Sequence, residues 1–158
     1  MRIRQRFLSP IIALLAVAVY SVGLAALPDI YPAPDQARAD LAAALHTATA
    51  THRRVIVDFG GNWCPDCYVL DAYFHDAVNQ PILAAHYVVV HVNIGLYDKN
   101  LDIAERYRVP WKKGVPALAV LESDGRLLYS QKSGEFEAMR RMQTSDVTQF
   151  LKQWIGAP

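Results

Sequence analysis

Residues 62–70 read NWCPDCYVL and contain both cysteines of the chain, Cys64 and Cys67. Two cysteines at this spacing can belong to a metal site, a structural disulfide or a redox centre. A disulfide across two residues closes a very small loop. Because the entropy that a disulfide removes from the unfolded chain grows with loop length, such a bond would stabilise the fold little. The surrounding sequence therefore has to separate a metal site from a redox centre.

The residues on either side of the pair favour the redox centre. The run VIVDFG at 55–60 is β-branched and aromatic and ends at a glycine pair, which predicts a buried strand followed by a loop. Pro65 suits the first turn of a helix, so the cysteines begin one. The helix dipole and the free N–H groups there favour a thiolate. We expect Cys64, at the exposed end, to attack a disulfide and Cys67, one turn deeper, to resolve it.

A metal site would need further ligands, because zinc takes four. His75, His86, His91 or a carboxylate would have to join the two cysteines, and there is no second close cysteine pair. The prediction is therefore no metal and no bound cofactor. The alternative is a binding or metal-handling module without turnover, which would hold a soft metal through the cysteines and a histidine.

Other segments predict an α/β sandwich with a mixed central sheet and flanking helices. Alternating strand and helix signals favour parallel pairing with right-handed crossovers, and a terminal hairpin adds an antiparallel edge. The predicted elements are a helix at 35–53, strands at 87–94 and 116–122, a helix at 100–107, a turn at 123–126, a return strand at 126–132 and a last helix from Thr144 or Ser145.

The N-terminus predicts export. Three arginines in MRIRQRF precede a charge-free apolar run at 10–27, which is typical of either a cleaved signal peptide or a retained membrane anchor. In both cases the remainder would face outward. Residues 28–40 contain three prolines and are predicted to be a tether, which leaves 41–158 as the folded domain.

Composition sets limits on the class of protein. The chain has 158 residues, 53% hydrophobic and 20% charged, which suits one globular core and excludes a disordered protein. Without the three arginines of 1–27, 13 Lys and Arg stand against 15 Asp and Glu, a formal charge of −2. This balance gives no indication of nucleic-acid binding.

The sequence resembles the thioredoxin superfamily over about residues 53–155. VDFGGNWCPDC at 57–67 resembles the family's strand, loop and Trp-Cys-x-x-Cys helix start, and GVPA at 114–117 resembles its cis-proline loop. The resemblance implies that Pro116 is a cis-proline facing the cysteines. It also implies that Val115 pairs through its backbone with an extended substrate.

Comparison with the family also gives expectations for three further residues, the last of which lies in a loop that is longer than the family's. Asp58 lies where the family has a buried acid that transfers protons to and from the resolving thiol. Trp63 is expected either to shield the edge of the disulfide or to pack on the core. A longer loop before Pro116 would place Trp111, with Lys112 and Lys113, at the rim of the site, where the lysines either lower the pKa of Cys64 or remain solvated.

Three features depart from the family. Asp66 lies between the sulfurs and should oppose a thiolate on Cys64, which favours a reductant. His91 takes the position of a lysine that often lies beside the buried acid. The added segment 134–143 is either a short helix that contacts a partner or a longer connection.

FHDAVNQPIL at 74–83 resembles periplasmic reductant-relay domains of disulfide-interchange transporters. The resemblance implies a thiol–disulfide oxidoreductase that runs as a reductase and needs no cofactor. It would take electrons from a membrane donor and pass them to oxidised exported proteins. The expected location is the periplasm or the outward face of the inner membrane.

Overall fold

The computed structural model of the protein describes residues 27–155. They form a four-stranded sheet with helices on both faces. The helices are α1 (Ala37–Thr51), α2 (Pro65–Phe74), α3 (Gln80–His86), α4 (Leu101–Arg106) and α5 (Thr144–Gln153), and the strands are β1 (Arg54–Gly60), β2 (Tyr87–Asn93), β3 (Ala117–Leu121) and β4 (Leu127–Ser130). Three short 3-10 turns are Pro34–Gln36, Trp111–Lys113 and Met139–Arg141.

The sheet order is β2-β1-β3-β4, with β1 inside. Side chains of a strand alternate between its faces, so β1 and β3 each supply two cores. Val55, Val57 and Phe59 pack with α1 and α4, and Ile56 packs with α2 and α5. The mixed sheet with flanking helices confirms the predicted fold class.

The direction of β3 differs from the parallel series that the sequence indicated. β1 pairs with β2 in parallel but with β3 antiparallel, and β3 pairs antiparallel with β4. The six residues of α4 rise about 9 Å, whereas the seven of β2 span about 23 Å. A helix this short favours a connection that stays at one end of the sheet. The antiparallel register of β3 with β1 shows that β3 starts at the end of the sheet where β2 finishes. This places the start of β3 beside the cysteines.

Helix α3 was not predicted. Its seven residues, QPILAAH, contain no fully buried side chain, and only Ile82 and Leu83 pack against the core. A helix this short gives too few apolar repeats for a periodic signal. It connects α2 to β2 and leaves the predicted order otherwise unchanged.

The N-terminal boundary also differs from the predicted tether and domain start. α1 begins at Ala37, inside the predicted tether, and Tyr31 is only 2% exposed. The domain therefore starts about ten residues earlier than predicted, because the aromatic ring of Tyr31 enters the core. The predicted export segment lies, except for Leu27, outside the described residues. Within 27–155, no helix is long and apolar enough to cross a membrane.

The added segment 134–143 packs on the domain itself. Phe136 is 3% exposed and Met139 is fully buried, and both lie in the core beside α5. Because these two side chains are buried, the segment lies over the N-terminus of α2, and Arg140 reaches the active-site helix.

Candidate active site

The two cysteines lie at the N-terminus of α2, as predicted. Cys64 is the N-cap residue, and its Sγ accepts a hydrogen bond from the backbone N–H of Cys67 at 3.2 Å. The Cys64 thiol donates to the carbonyl of Val115 at 3.4 Å. Cys64 is 3% exposed and Cys67 1%, so the attacking residue is more enclosed than expected. The cause is the loop before β3, which lies against it.

The environment makes the two thiols chemically different. A hydrogen bond from the Cys67 side chain lowers the pKa of Cys64. Burial raises this pKa, and the backbone N–H of Cys67 lowers it further. The same side-chain bond, burial and the charge of Asp58 raise the pKa of Cys67. The proton therefore stays on Cys67, and Cys64 is the group that ionises. This asymmetry suits a nucleophile followed by a resolving thiol.

Asp58 is buried, at 1% exposure, in the middle of the sheet. Its Oδ2 accepts a hydrogen bond from the Tyr31 hydroxyl at 2.6 Å and contacts His91 Nδ1 at 2.9 Å. β1 and β2 pair Asp58 directly with His91, which places the two side chains together. The charge of Asp58 raises the pKa of Cys67 and opposes the lowering at Cys64. Its role in proton transfer stays a prediction.

His91 occupies the place of the expected lysine and contacts the buried acid. Burial disfavours its imidazolium, but the hydrogen bond and charge of Asp58, with the charge of Asp71, raise the pKa of His91 overall. The ring of His91 also meets that of Tyr31 edge-on, with centroids 5.2 Å apart. A charged His91 at this position can balance the buried carboxylate.

Asp66 is not the free charge that the sequence suggested. Arg140 donates to it from the backbone at 2.9 Å and from Nε at 3.1 and 3.2 Å. Burial opposes ionisation of Asp66, but these bonds and the charge of Arg140 lower its pKa. The charge of Asp66 still opposes a Cys64 thiolate, yet the pKa of Cys64 falls overall. The expected effect of Asp66 is therefore outweighed.

Aromatic side chains form a rim beside the cysteines. Trp63 is 42% exposed and donates from Nε1 to the carbonyl of Gly95 at 2.6 Å. Its ring lies 5.3 Å from that of Tyr97, which in turn lies 6.2 Å from Trp111. Trp63 thus bridges to the loop after β2 instead of packing inward, and Trp111 lies where the sequence placed it.

The loop before β3 contains a cis Val115–Pro116 bond, as the family resemblance implies. The Val115 carbonyl accepts the Cys64 thiol, so it lies beside the reacting sulfur. Lys112 Nζ lies 5.2 Å from the Trp111 ring centroid, and Lys113 donates to the carbonyl of Lys132 at 3.0 Å. Neither lysine is among the main causes of the shift in the pKa of Cys64, which agrees with the solvated alternative.

Sequence reasoning missed Tyr31 and Arg140. Tyr31 lies in the proline-rich stretch, where its only signal is an aromatic ring among turn residues. Arg140 lies 74 residues from Asp66 in sequence, beyond any local pattern. Among the described residues, no group of three or more His, Cys, Asp and Glu side chains is arranged to hold a metal.

The fold and the buried dithiol define a class, the thiol–disulfide oxidoreductases built on a thioredoxin fold. The chain matches a family model described as thioredoxin-like over residues 36–123. A solved structure of a disulphide isomerase from Xylella fastidiosa is 33% identical, covers 81% of this chain and 98% of its own, and has a TM-score of 0.76. The chain belongs to the thioredoxin-like family.

A more distant match agrees on the fold. The solution structure of a thioredoxin from Thermus thermophilus is 25% identical to this chain. The match covers 78% of this chain and 83% of the thioredoxin, with a TM-score of 0.52.

Proposed function

We propose that this protein reduces disulfide bonds of exported proteins through Cys64 and Cys67. The observation that carries the proposal is the geometry of the dithiol: Cys64 caps α2, its Sγ accepts the Cys67 N–H at 3.2 Å, and Cys67 lies deeper at 1% exposure. The lowered pKa of Cys64 and the raised pKa of Cys67 agree with this arrangement. A dithiol with one ionised and one protonated sulfur is ready to attack a disulfide and then resolve the product.

The reaction balances as a two-electron exchange. The Cys64 thiolate attacks one sulfur of the substrate disulfide, whose S–S bond breaks, and the leaving thiolate takes up a proton. Cys67 then loses its proton and attacks Cys64 Sγ, which releases the second substrate thiolate to be protonated. The substrate gains two electrons and two protons, and Cys64 and Cys67 end as a disulfide.

The reducing direction is supported by the buried charge of Asp58. A stabilised thiolate makes a dithiol pair a strong oxidant, because it favours the reduced form. The pKa of Cys64 is lowered overall, but Asp58 opposes a thiolate on both sulfurs and so limits this lowering, while the pKa of Cys67 is raised. Since its carboxylate is buried, solvent screens this repulsion little. We therefore expect a reducing potential, even though Arg140 compensates the charge of Asp66.

The proposed partners are supported by the sequence of the N-terminus. The arginine-flanked apolar run at 1–27 supports export, either as a free periplasmic protein or as one anchored to the inner membrane and facing outward. Substrates are then oxidised exported proteins. A membrane dithiol donor would restore the cysteines by the same exchange in reverse.

Disulfide reduction in solution tests the proposal. The full chain, with dithiothreitol as electron source, should accelerate the reduction of insulin, and Cys64→Ser should abolish the acceleration. Cys67→Ser should instead trap a mixed disulfide with insulin, because attack remains possible and resolution does not. Mass spectrometry of the trapped species identifies the sulfur that attacked.

Two results would contradict the proposal. Equal activity of the wild-type protein and Cys64→Ser would show that the pair is not the reacting centre. Trapping by Cys64→Ser through Cys67, with none by Cys67→Ser, would reverse the assigned roles.

A further inference from the structure

Tyr31 enters the active site from outside the motif that defines it. The residue lies before α1, is 2% exposed, and donates its hydroxyl proton to Asp58 Oδ2 at 2.6 Å. Asn62 holds it there: its Oδ1 accepts the N–H of Tyr31 at 2.9 Å, and its Nδ2 donates to the Tyr31 carbonyl at 2.9 Å. The hydroxyl therefore has a fixed position beside the buried acid.

The same hydroxyl lies near the resolving sulfur. A Cβ placed on Gly60 would clash with the Tyr31 hydroxyl and lie 2.7 Å from Cys67 Sγ, so both atoms border one small space. Only glycine leaves that space open. The phenol thus hydrogen-bonds to the carboxylate that can take a proton and shares one small space with the thiol that must lose one.

Tyr31 itself is not a competing acid at neutral pH. Burial, the charge of Asp58 and the charge of Cys67 raise the pKa of Tyr31 well above its usual range. The hydroxyl therefore keeps a proton and acts as donor and acceptor at once. A group of this kind can pass a proton on without holding a charge.

We propose that the Tyr31 hydroxyl relays the proton from Cys67 to Asp58 while Cys67 resolves the mixed disulfide. The inference rests on the proposed function, since it concerns the second half of that exchange. Tyr31 gives its own proton to Asp58 Oδ2 and accepts the thiol proton of Cys67 in its place. The phenol is unchanged at the end, Asp58 is protonated, and the Cys67 thiolate attacks Cys64 Sγ.

The surroundings of Asp58 fit an acid that accepts a proton. Oδ2 already contacts Tyr31 and His91, whereas Oδ1 is buried without a hydrogen-bond partner among the described residues. A buried carboxylate oxygen without a donor leaves part of the negative charge uncompensated. The titratable groups that face the relay are thus Cys64, Cys67, Asp58 and His91.

Tyr31→Phe tests the relay because it removes the hydroxyl and keeps the ring. The test measures two rates over a range of pH by rapid quenching: formation of the mixed disulfide with a labelled peptide disulfide, and release of the peptide. We expect formation to stay near the wild-type rate and release to slow at least about tenfold near pH 7. Positioned proton-transfer groups supply about 100- to 10,000-fold, and Asp58 remains in this variant. The deficit in release should narrow at high pH, where hydroxide can take the proton.

Tyr87→Phe is the matched control. Tyr87 is also 2% exposed, and its hydroxyl donates to the Leu151 carbonyl at 2.6 Å, away from the cysteines. Tyr87→Phe loses a comparable buried hydrogen bond, so a slower release that came from reduced stability alone would appear in both variants. We expect both of its rates to match the wild-type protein.

Release by Tyr31→Phe at the wild-type rate throughout the pH range would overturn the relay and leave the proposed function intact. Absence of mixed disulfide in the wild-type protein would instead overturn the proposed function. If Tyr31→Phe does not fold, 3-fluorotyrosine at position 31 keeps the shape and acidifies the hydroxyl. The pH dependence of release should then shift, and an unshifted profile would contradict the relay.

Discussion

Arg140 compensates the negative charge of Asp66 beside the attacking sulfur. Its guanidinium and backbone bind Asp66, the residue between the two cysteines. Without this partner, the carboxylate would repel a thiolate on Cys64 more strongly. The segment that brings Arg140 to the site thus adjusts the nucleophile without touching it.

Arg140→Gln should therefore make Cys64 less reactive. Loss of the cation raises the pKa of Cys64, and alkylation by iodoacetamide at pH 7 should slow by roughly two- to fivefold, the scale of one screened charge interaction. The measurement is the alkylation rate as a function of pH. Arg141→Gln is the control, because Arg141 acts on Asp66 only through its charge and makes no hydrogen bond to it. Equal rates for Arg140→Gln and the wild-type protein would contradict this role of Arg140.

The pairing of His91 with Asp58 should make stability depend on pH. The pKa of His91 is raised in the folded protein, so its contribution is complete below the unfolded pKa, about 6.5, and is lost as pH rises through the folded pKa. His91→Gln should lower the free energy of unfolding at pH 6 by about 1–3 kcal/mol and reduce its fall above pH 6.5.

Chemical denaturation at several pH values measures the effect. His46→Gln is the matched control, because His46 is exposed on α1. A fall in stability with pH that is the same in His91→Gln and the wild-type protein would contradict the assignment.

Local spacing explains which site residues the sequence could predict. Cys64, Cys67 and Asp58 lie within ten residues on one strand, loop and helix, so one motif locates them. Tyr31 and Arg140 reach the same site from 27 and 74 residues away. Such contacts depend on how the whole chain packs, which no local pattern records.

Among the secondary-structure elements, asparagine side chains at one end of the sheet bind the N-terminal segment, residues 30–34. Asn62 makes three hydrogen bonds to the backbone of Ile30 and Tyr31. Asn93 and Asn100 donate to the carbonyls of Pro32 and Pro34. Prolines leave this stretch without a regular backbone ladder, and the asparagines supply the missing partners.

Asn62→Ala should loosen this segment. It removes three hydrogen bonds at about 1 kcal/mol each, so the free energy of unfolding should fall by about 3 kcal/mol. Hydrogen exchange at the amides of Ile30 and Tyr31 should accelerate, while amides inside α5 provide the internal control. Unchanged protection of the two amides would show that Asn62 does not hold the segment.

Element prediction succeeded where sequence periodicity is strong. The alternating β-branched and apolar runs identified all four strands, and the last helix begins at Thr144 as predicted. The errors have physical reasons. Helix α3 is too short to show a helical period of apolar residues, and the direction of β3 depends on the connection from β2 through α4. The proline-rich stretch looked like a tether because its order comes from distant asparagines.

At the scale of the molecule, the proposed function needs an oxidising compartment. Fusing residues 1–40 to alkaline phosphatase, which requires disulfides to fold, tests this. We expect phosphatase activity from the fusion expressed in a Gram-negative bacterium. The same reporter joined to residues 28–40 alone should stay inactive in the cytoplasm. Equal activity of the two fusions would contradict export by the first 27 residues.

The reduction potential of the Cys64–Cys67 pair decides whether the protein acts as a reductant or as an oxidant. The full chain is equilibrated with dithiothreitol or glutathione buffers, and the fraction of disulfide is read from Trp63 fluorescence and by thiol alkylation. A reductase with a buried Asp58 should have a reduction potential of about −270 mV, which is that of thioredoxin. A value near about −120 mV, that of a strong periplasmic oxidant, would contradict the reducing direction.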